Sequence, residues 1–324
     1  MRKIYAILIA ALFTTAALAQ QDAMYSMYMF NGLFLNPAYA GSHEVISATA
    51  IYRHQWAGFD GAPRTFNASI HAPFKRDQYA LGATITNDRL GLTNMFSITP
   101  AFAYRIKVRK SRIALGVQAG FTYYQQRNSD AVLPDGFTSD QVFSVNQSMP
   151  LFNVGFGIYI YGKRYFIGAS VPHLIPNSLN GKFSLAKAGE QVAKQYNHYL
   201  LTAGYVFGKD GAIVKVKPTF LMKYVQGDRR NLPQFDFNLN LLFVDRLWVG
   251  AGWRLGGDYQ RWRGESIIAM IEAKLTPQLR VGYAYDATLS RTNPYQSGTH
   301  EIMVGYDFSY NKKRFVTPRY VKYF

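Results

Sequence analysis

The feature that most constrains this chain is a two-residue alternation of side-chain character, repeated along most of its length. Between 235 and 243, aromatic and leucine residues alternate with Asp236, Asn238 and Asn240. The same alternation runs through 247–255 and 302–310. A period of two is typical of a β-strand with one apolar and one polar face. We therefore expect an all-β fold whose strands meet a different environment on each side.

The first nineteen residues carry an export signal. They start with Arg2 and Lys3, continue with an apolar run over 4–18, and end in the small-x-small pattern of 17–19. This predicts a secretory signal peptide over 1–19 and a mature chain that begins near Gln20. The chain has no cysteine, which excludes disulfides, thiolate chemistry and lipid attachment at the new N-terminus.

Beyond the signal, no stretch approaches the roughly 18–20 apolar residues that a membrane helix needs. A membrane crossing must therefore use strands. Aromatic residues make up 16% of the chain and charged residues only 17%, a composition that fits a barrel with aromatic girdles. The formal charge of +17 indicates an anionic neighbour, and for an exported protein phospholipid headgroups are a better match than nucleic acid.

Counting the alternating segments gives about fourteen, an even number as single-chain outer-membrane barrels require. They lie near 46–53, 64–72, 78–87, 94–107, 111–126, 149–161, 164–172, 196–208, 213–225, 233–244, 246–256, 264–275, 278–287 and 298–310. This predicts a single transmembrane β-barrel of antiparallel strands over 45–310. An N-terminal segment over 20–44 precedes it, and a basic C-terminal tail over 311–324 follows.

The connections alternate in length along with the strands. The short set is 73–77, 108–110, 162–163, 209–212, 245 and 276–277, and the long set is 54–63, 128–148, 173–195, 226–232, 257–263 and 288–297. This asymmetry predicts short periplasmic turns and longer extracellular loops. A soluble sandwich with Greek-key crossings gives no reason for such sorting.

Charge follows the same division. The short turns and the tail are basic, through Lys75, Arg76, Arg109, Lys110, Lys163, Arg164, Lys209, Arg246, Lys312, Lys313 and Arg314. Two interpretations of this periplasmic rim and tail stay open: attraction to phosphates of the inner leaflet, and a docking face for a partner protein.

The strand pattern also places charges on the inward face. The basic residues are Arg105, Lys215, Lys217, Lys223, Arg254 and Lys274, and the acidic ones are Asp236, Glu272, Asp286, Glu301 and Asp307. Contact with lipid would be costly for these groups, whereas a polar lumen lets them pair or hydrate. Since both signs are present, we expect a partly filled, cross-linked interior rather than a strongly ion-selective pore.

The segment 24–42, MYSMYMFNGLFLNPAYAGS, shows neither helical nor strand periodicity, and Pro37 disfavours helix at Asn36. Packing into or under the barrel mouth and a docking or plug role both fit it. The segment resembles the N-terminal motif of the PorP/SprF family of the type IX secretion system. The resemblance continues through 51–74, 87–92, 165–176, 282–290, 300–308 and 317–320.

The motif positions that the resemblance identifies are Tyr28, Met29, Phe30, Asn31, Leu35, Asn36, Pro37, Ala38, Tyr39, Ala40, Gly41 and Ser42 in the N-terminal segment, then Arg53, Gln55, Trp56, Gly58, Gly61, Pro63, Asn87, Gly91 and Asp286. Of these, the resemblance implies partner binding for Tyr28, Met29, Phe30, Asn31, Asn36, Pro37, Ala38, Tyr39, Gly41, Ser42, Arg53, Gln55, Trp56 and Pro63. One departure is Gly32, where the family more often has proline.

The resemblance also implies a function: a non-enzymatic outer-membrane component that assists export or surface attachment of an adhesin-like client with a C-terminal signal domain. The implied partners are that client, outer-membrane lipids, a periplasmic peptidoglycan-binding protein and the ring lipoproteins of the system. The alternatives are a general diffusion channel or small-solute transporter, a structural subunit that ties the outer membrane to peptidoglycan, and, remotely, a lipid hydrolase.

The sequence offers little support for catalysis. The six histidines are scattered without H-x-x-x-H or H-E-x-x-H spacing, and no G-x-S-x-G motif occurs. We therefore predict no metal, no cofactor and no catalytic residues. The glycine-rich stretch 58–63 lacks the strand-to-helix context of a phosphate-binding loop.

Overall fold

The computed structural model describes residues 24–74, 77–130, 146–178, 194–195, 197–226, 232–256, 265–289 and 296–308. The strands are β1 (Ile46–His54), β2 (Arg64–Phe74), β3 (Tyr79–Leu90), β4 (Thr93–Val108), β5 (Ser111–Gln126), β6 (Gln147–Gly162), β7 (Tyr165–Val171), β8 (Asn177–Ser178), β9 (Lys194–Gln195), β10 (His198–Tyr205), β11 (Val214–Val225), β12 (Gln234–Phe243), β13 (Leu247–Gly256), β14 (Ser266–Lys274), β15 (Leu279–Thr288) and β16 (Thr299–Phe308). The predicted signal peptide and the tail with Lys312, Lys313 and Arg314 lie outside the described residues.

Fourteen of these strands form one closed antiparallel barrel, and β8 with β9 makes a separate two-stranded sheet. Each barrel strand pairs with its neighbours along the chain, and β1 closes the barrel against β16. Closure leaves no open sheet edge, the condition for strands to span a bilayer. The predicted all-β barrel of fourteen strands is confirmed, and each predicted segment overlaps one observed strand.

The two kinds of connection lie at opposite ends of the barrel, here called the short-turn end and the long-loop end. Tight links at the short-turn end use positive backbone φ angles, as at Arg109 between β4 and β5 and at Val244 and Asp245 between β12 and β13. One link at the long-loop end is also tight: Gly91 and Leu92 join β3 to β4, with Gly91 at φ +54°.

Side chains alternate between the outside and the lumen as the sequence predicts. Phe237, Leu239 and Trp253 are about half exposed on the outer face, while Asp236 and Arg254 are buried inside. This apolar exterior and polar interior reverses the arrangement of a soluble protein, because lipid surrounds the outer face. Among the described residues, no helix has the length and apolarity needed to cross a membrane.

The barrel wall is uneven in height. Strands β4, β5 and β6 each have 16 residues, whereas β7 has 7 and β10 has 8. The apolar core of the molecule lies in the lumen, where residues 24–40 of the N-terminal segment pack against inward side chains of the strands.

Candidate functional site: the N-terminal segment in the lumen

The N-terminal segment folds into three short turns rather than a regular helix. A 3₁₀ turn over Tyr28–Phe30 is followed by one α-helical turn, α1 (Gly32–Leu35), and a second 3₁₀ turn over Pro37–Tyr39. Asn36 has the extended conformation that a residue before proline prefers. Its Oδ1 accepts a hydrogen bond from the Ala38 N–H at 2.9 Å and so caps the last turn.

The same Asn36 fastens the segment to the barrel wall. Its Nδ2 donates to the carbonyl oxygens of Ile158 at 2.9 Å and Ala169 at 3.3 Å, which lie opposite each other on β6 and β7. Next to it, the Ser170 hydroxyl donates to the Leu35 carbonyl at 2.6 Å. The Asn36 side chain therefore caps a backbone N–H of the last turn and also binds two strands.

Three inward glycines, here called the glycine seat, bring this wall close enough for those bonds. They are Gly116, Gly157 and Gly168 on β5, β6 and β7. A methyl group at Gly116 would overlap the backbone of Ala38, and one at Gly157 would overlap the Asn36 side chain. Glycine inside a strand marks close backbone approach, and here the approaching backbone is the chain's own N-terminal segment.

At the long-loop end, the segment is held by buried charges. The Glu301 carboxylate accepts hydrogen bonds from the backbone N–H of Ser26 at 2.6 Å and of Met27 at 2.9 Å. Glu301 also forms an ion pair with Arg53 directly across the β1–β16 pair. All three side chains of Ser26, Arg53 and Glu301 are buried.

This ion pair belongs to a larger buried network. Arg254 donates to Asp286 at 2.9 Å and forms a forked contact with Asp236 at 2.9–3.1 Å. Asp286 lies 3.5 Å from Arg53 and accepts a hydrogen bond from the Ser26 hydroxyl at 3.2 Å. Opposite charges on neighbouring strands therefore compensate one another, as predicted for a cross-linked interior.

At the short-turn end, the segment leaves the lumen through a second polar cluster. The Gly41 N–H donates to His71 Nδ1 at 3.1 Å, and the Gly41 carbonyl accepts from Arg105. Glu44 pairs with Arg112 at 2.8 Å. Burial raises the pKa of the Glu44 carboxyl, and the nearby Arg112 guanidinium opposes that rise.

Between the two ends, the segment contacts both sides of the barrel. The Asn31 Nδ2 donates to Asn67 Oδ1 on β2 at 2.8 Å, and Asn238 Nδ2 on β12 donates to the Tyr28 hydroxyl at 3.0 Å. The Phe30 ring lies 6.5 Å from the Trp248 ring on β13. Residues 24–44 therefore cross the lumen from the long-loop end to the short-turn end and occupy it along its length.

The long-loop half keeps a cavity of about 110 Å³ beside the segment. Apolar side chains of the segment, including Leu33 and Phe34, line one side of it. Hydroxyl and amide side chains of β3–β6 line the other side: Thr84, Thr86, Ser97, Thr99, Gln118, Thr122 and Asn153.

The structure brings together most of the predicted site residues. Tyr28, Met29, Phe30, Asn31, Asn36, Pro37, Ala38, Tyr39, Gly41 and Ser42 all lie in the lumen, and Arg53 joins them through Ser26. Gln55, Trp56 and Pro63 lie apart in the β1–β2 loop, where the Gln55 N–H donates to the Pro63 carbonyl at 2.9 Å.

Lys163 and Arg164 lie at the short-turn end, far along the wall from that loop. Both contact Asp210, at 2.6 and 3.2 Å, and their hydrogen bonds lower the pKa of this exposed carboxyl to about 2. Ser26 and the glycine seat were missing from the predicted site. The signal for the seat was available, since glycines at inward positions of successive strands indicate something packed against the wall.

Catalytic geometry is not evident in this site. Within the ranges that the structure describes, no group of three or more His, Asp or Glu side chains has the arrangement of a metal site. The polar side chains of the lumen serve instead to pair with one another and with the backbone of the N-terminal segment.

These features define an outer-membrane β-barrel whose lumen is filled by its own N-terminal segment. The toluene transporter TbuX of Ralstonia pickettii has a similar fold, with a TM-score of 0.51 and 11% identity over 86% of this chain and 93% of that one. A FadL homologue of Pseudomonas aeruginosa gives a TM-score of 0.49 and 12% identity, over 86% and 94% of the two chains. No curated protein sequence matches this chain.

The particular family follows from the sequence. Residues 17–306 match the family of the type IX secretion system membrane protein PorP/SprF. The chain therefore belongs to the PorP/SprF family, an outer-membrane component of type IX secretion, as the motif predicts.

Proposed function

We propose that this protein is a non-enzymatic partner in type IX secretion that assists export or surface attachment of one client with a C-terminal signal domain. The observation that carries this proposal is the lumen, which is filled by an N-terminal segment fastened at both ends. A filled lumen favours docking of proteins on the barrel over passage of solutes through it. The client docks at the long loops, and the periplasmic partners dock at the basic short-turn end.

The contacts of the N-terminal segment argue against a general diffusion channel. Such a channel needs a water-filled lumen, whereas here hydrogen bonds join the segment to β2, β6, β7 and β12. The backbone N–H groups of Ser26 and Met27 donate to the buried Glu301 carboxylate, and a hydrogen bond to a charged group contributes about 1.5–3 kcal/mol, so spontaneous release of the segment is rare. The barrel accordingly stays closed in its resting state.

The proposed periplasmic partners are a peptidoglycan-binding protein and the ring lipoproteins of the system. Exposed basic side chains at the short-turn end, such as Lys209 and Arg246, offer charge complementarity to an acidic protein surface. We also infer that the signal peptide is removed near Gln20, which N-terminal sequencing of the purified barrel tests.

Deleting residues 24–42 distinguishes the proposed role in secretion from that of a diffusion channel. We expect the deletion variant to insert as a barrel, to conduct ions steadily in planar bilayers, and to lose surface display of the client at normal barrel abundance. The intact protein should stay closed and co-purify with its client. Steady, large conductance of the intact protein would instead show that it is a diffusion channel. Normal client display by the deletion variant would show that the N-terminal segment is not needed for the function.

A further inference from the structure

A shallow apolar groove crosses the outer face of the barrel over β7 and β10–β13. The open space above it measures about 790 Å³. Small residues at outward positions form its floor: Ala203, Pro218 and Ala251. Large exposed side chains rise beside them, among them Phe237 and Trp253.

The strand register explains why the surface is hollow at this point. Pro218 lies opposite Leu239, and Leu239 lies opposite Ala251, so small and large side chains alternate along one row. Proline is rare inside a sheet because it cannot donate to the ladder. Its placement in β11 removes both a large side chain and a backbone donor from the centre of the groove.

The end of the groove near the short turns differs in chemistry from the rest. Tyr165 and Tyr205 line it there, facing each other across β7 and β10. The Val206 N–H donates to the Arg164 carbonyl at 2.7 Å, which holds the adjoining turn directly beside the tyrosines. Tyrosines at such a level mark the border between hydrocarbon and headgroups.

Exposed charge at this end is positive. Neighbouring turns carry Lys163, Arg164, Lys209 and Arg246, and the acids among them are Asp210 and Asp245. Asp245 pairs with the buried Lys215, and Asp210 contacts both Lys163 and Arg164, so the four basic side chains exceed the one acid left among them by three charges. Basic side chains just outside the membrane attract anionic headgroups.

We propose that this groove is a binding site for one glycerophospholipid. The phosphate lies among the basic side chains of the short-turn end, the glycerol region contacts Tyr165 and Tyr205, and an acyl chain lies on the floor formed by Pro218 and Ala251. The combination of a cationic end, a tyrosine border and an apolar floor matches an anionic amphiphile. A membrane segment of a partner protein would use the apolar floor but would not require the cations.

Native mass spectrometry of the whole barrel, released from vesicles of phosphatidylglycerol and phosphatidylcholine, tests the proposal. We expect one retained phosphatidylglycerol per barrel. Ala251→Phe, which fills the floor, should lower retention at least tenfold, and the double variant Lys163→Glu, Arg164→Glu should remove the preference for phosphatidylglycerol. Ala119→Phe, on the exposed outer face of β5 away from the groove, is the matched control and should retain the lipid.

Trp253 gives a second readout that does not depend on detergent. Phosphatidylglycerol with brominated acyl chains should quench its fluorescence more than brominated phosphatidylcholine at equal content, with a Trp253→Phe variant identifying its share of the signal. Equal retention by the Ala251→Phe and Ala119→Phe variants would overturn the site. So would retention that ignores the headgroup, or a second copy of the chain occupying the groove.

Discussion

The two sides of the lumen hold the N-terminal segment by different means. On β5–β7, the glycine seat lets the backbone near Asn36 touch the wall, and neutral hydrogen bonds complete the contact. On β12–β16 and β1, the charged side chains of Glu301 and Asp286 bind Ser26 at its start, and Arg254 in turn pairs with Asp286. The close contact at the glycine seat leaves no space for an added atom. The charged side chains on the other side can instead be hydrated if water enters. We infer that the first side fixes the position of the segment and the second side is the one that yields first.

The largest expected effect comes from adding a methyl group to each of two glycines in the glycine seat. Gly157→Ala places that methyl against Asn36, and Gly116→Ala places it against Ala38. Since backbone cannot move aside as a flexible side chain does, we expect the double variant to expel the segment and to conduct steadily in planar bilayers. Gly120→Ala on β5 is the matched control, because its nearest neighbour, at 3.4 Å, is a side-chain atom of Thr99. A closed double variant would refute the role of the seat.

Glu301→Gln tests the charged side with an isosteric change. It removes the negative charge between Arg53 and the backbone N–H groups of Ser26 and Met27. Loss of one partner from a buried ion pair costs about 3–5 kcal/mol, and Asp286 near Arg53 keeps the expected loss toward the lower value. Thermal unfolding in detergent measures this loss. If Arg53→Met combined with Glu301→Gln is no more stable than Glu301→Gln alone, an unpaired Arg53 is not the source of the loss.

Two substitutions of Asn36 distinguish the stability that comes from capping the turn from the stability that comes from binding the wall. Asn36→Ala loses the cap and both donations to β6 and β7, and we expect a loss of about 1–2 kcal/mol. Asn36→Asp keeps a capping oxygen but turns a carboxylate toward the carbonyls of Ile158 and Ala169, so it should be the less stable of the two. Thermal unfolding again measures the order. An aspartate variant more stable than the alanine variant would show that the cap matters more than the wall.

The smallest effect is expected at the short-turn end, outside the lumen. The Asp210 side chain is about half exposed, and its contacts with Lys163 and Arg164 lower its pKa from 3.8 to about 2. A lowered pKa contributes stability above pH 3.8 that disappears as the pH falls toward 2. Because solvent screens the contact, this contribution is small, and Asp210→Asn should lower the unfolding temperature by no more than the error of the measurement between pH 5 and 8. A measurable loss in that range would make this turn part of the stabilising network.

The strands could be predicted closely from the sequence because lipid requires an apolar side chain at every second position of each strand. The segment predicted over 233–244 is observed as β12 (Gln234–Phe243), and the one over 164–172 as β7 (Tyr165–Val171). Each outward side chain meets hydrocarbon whatever its neighbours are, so the two-residue period can be recognised within a single strand. The inward positions of Asp286 and Glu301 were predicted for the same reason.

The placement of the N-terminal segment required more than local pattern. Its turns have no period, and whether it lies inside the lumen or below it depends on how far the strands are from one another after closure. The bonds from Asn36 to Ile158 and Ala169 join residues more than 120 positions apart. Gln55 and Trp56, grouped with this segment by the family motif, lie instead in a separate loop.

The sequence by itself determined that the chain crosses a membrane as a barrel of fourteen strands with a charged interior, since hydrocarbon acts on each strand separately. Only the tertiary structure decided that this interior is occupied, and that glycines on three strands make room for the occupant. The physical reason is that a filled lumen is a property of the closed sheet, produced by contacts between residues that are far apart in the chain.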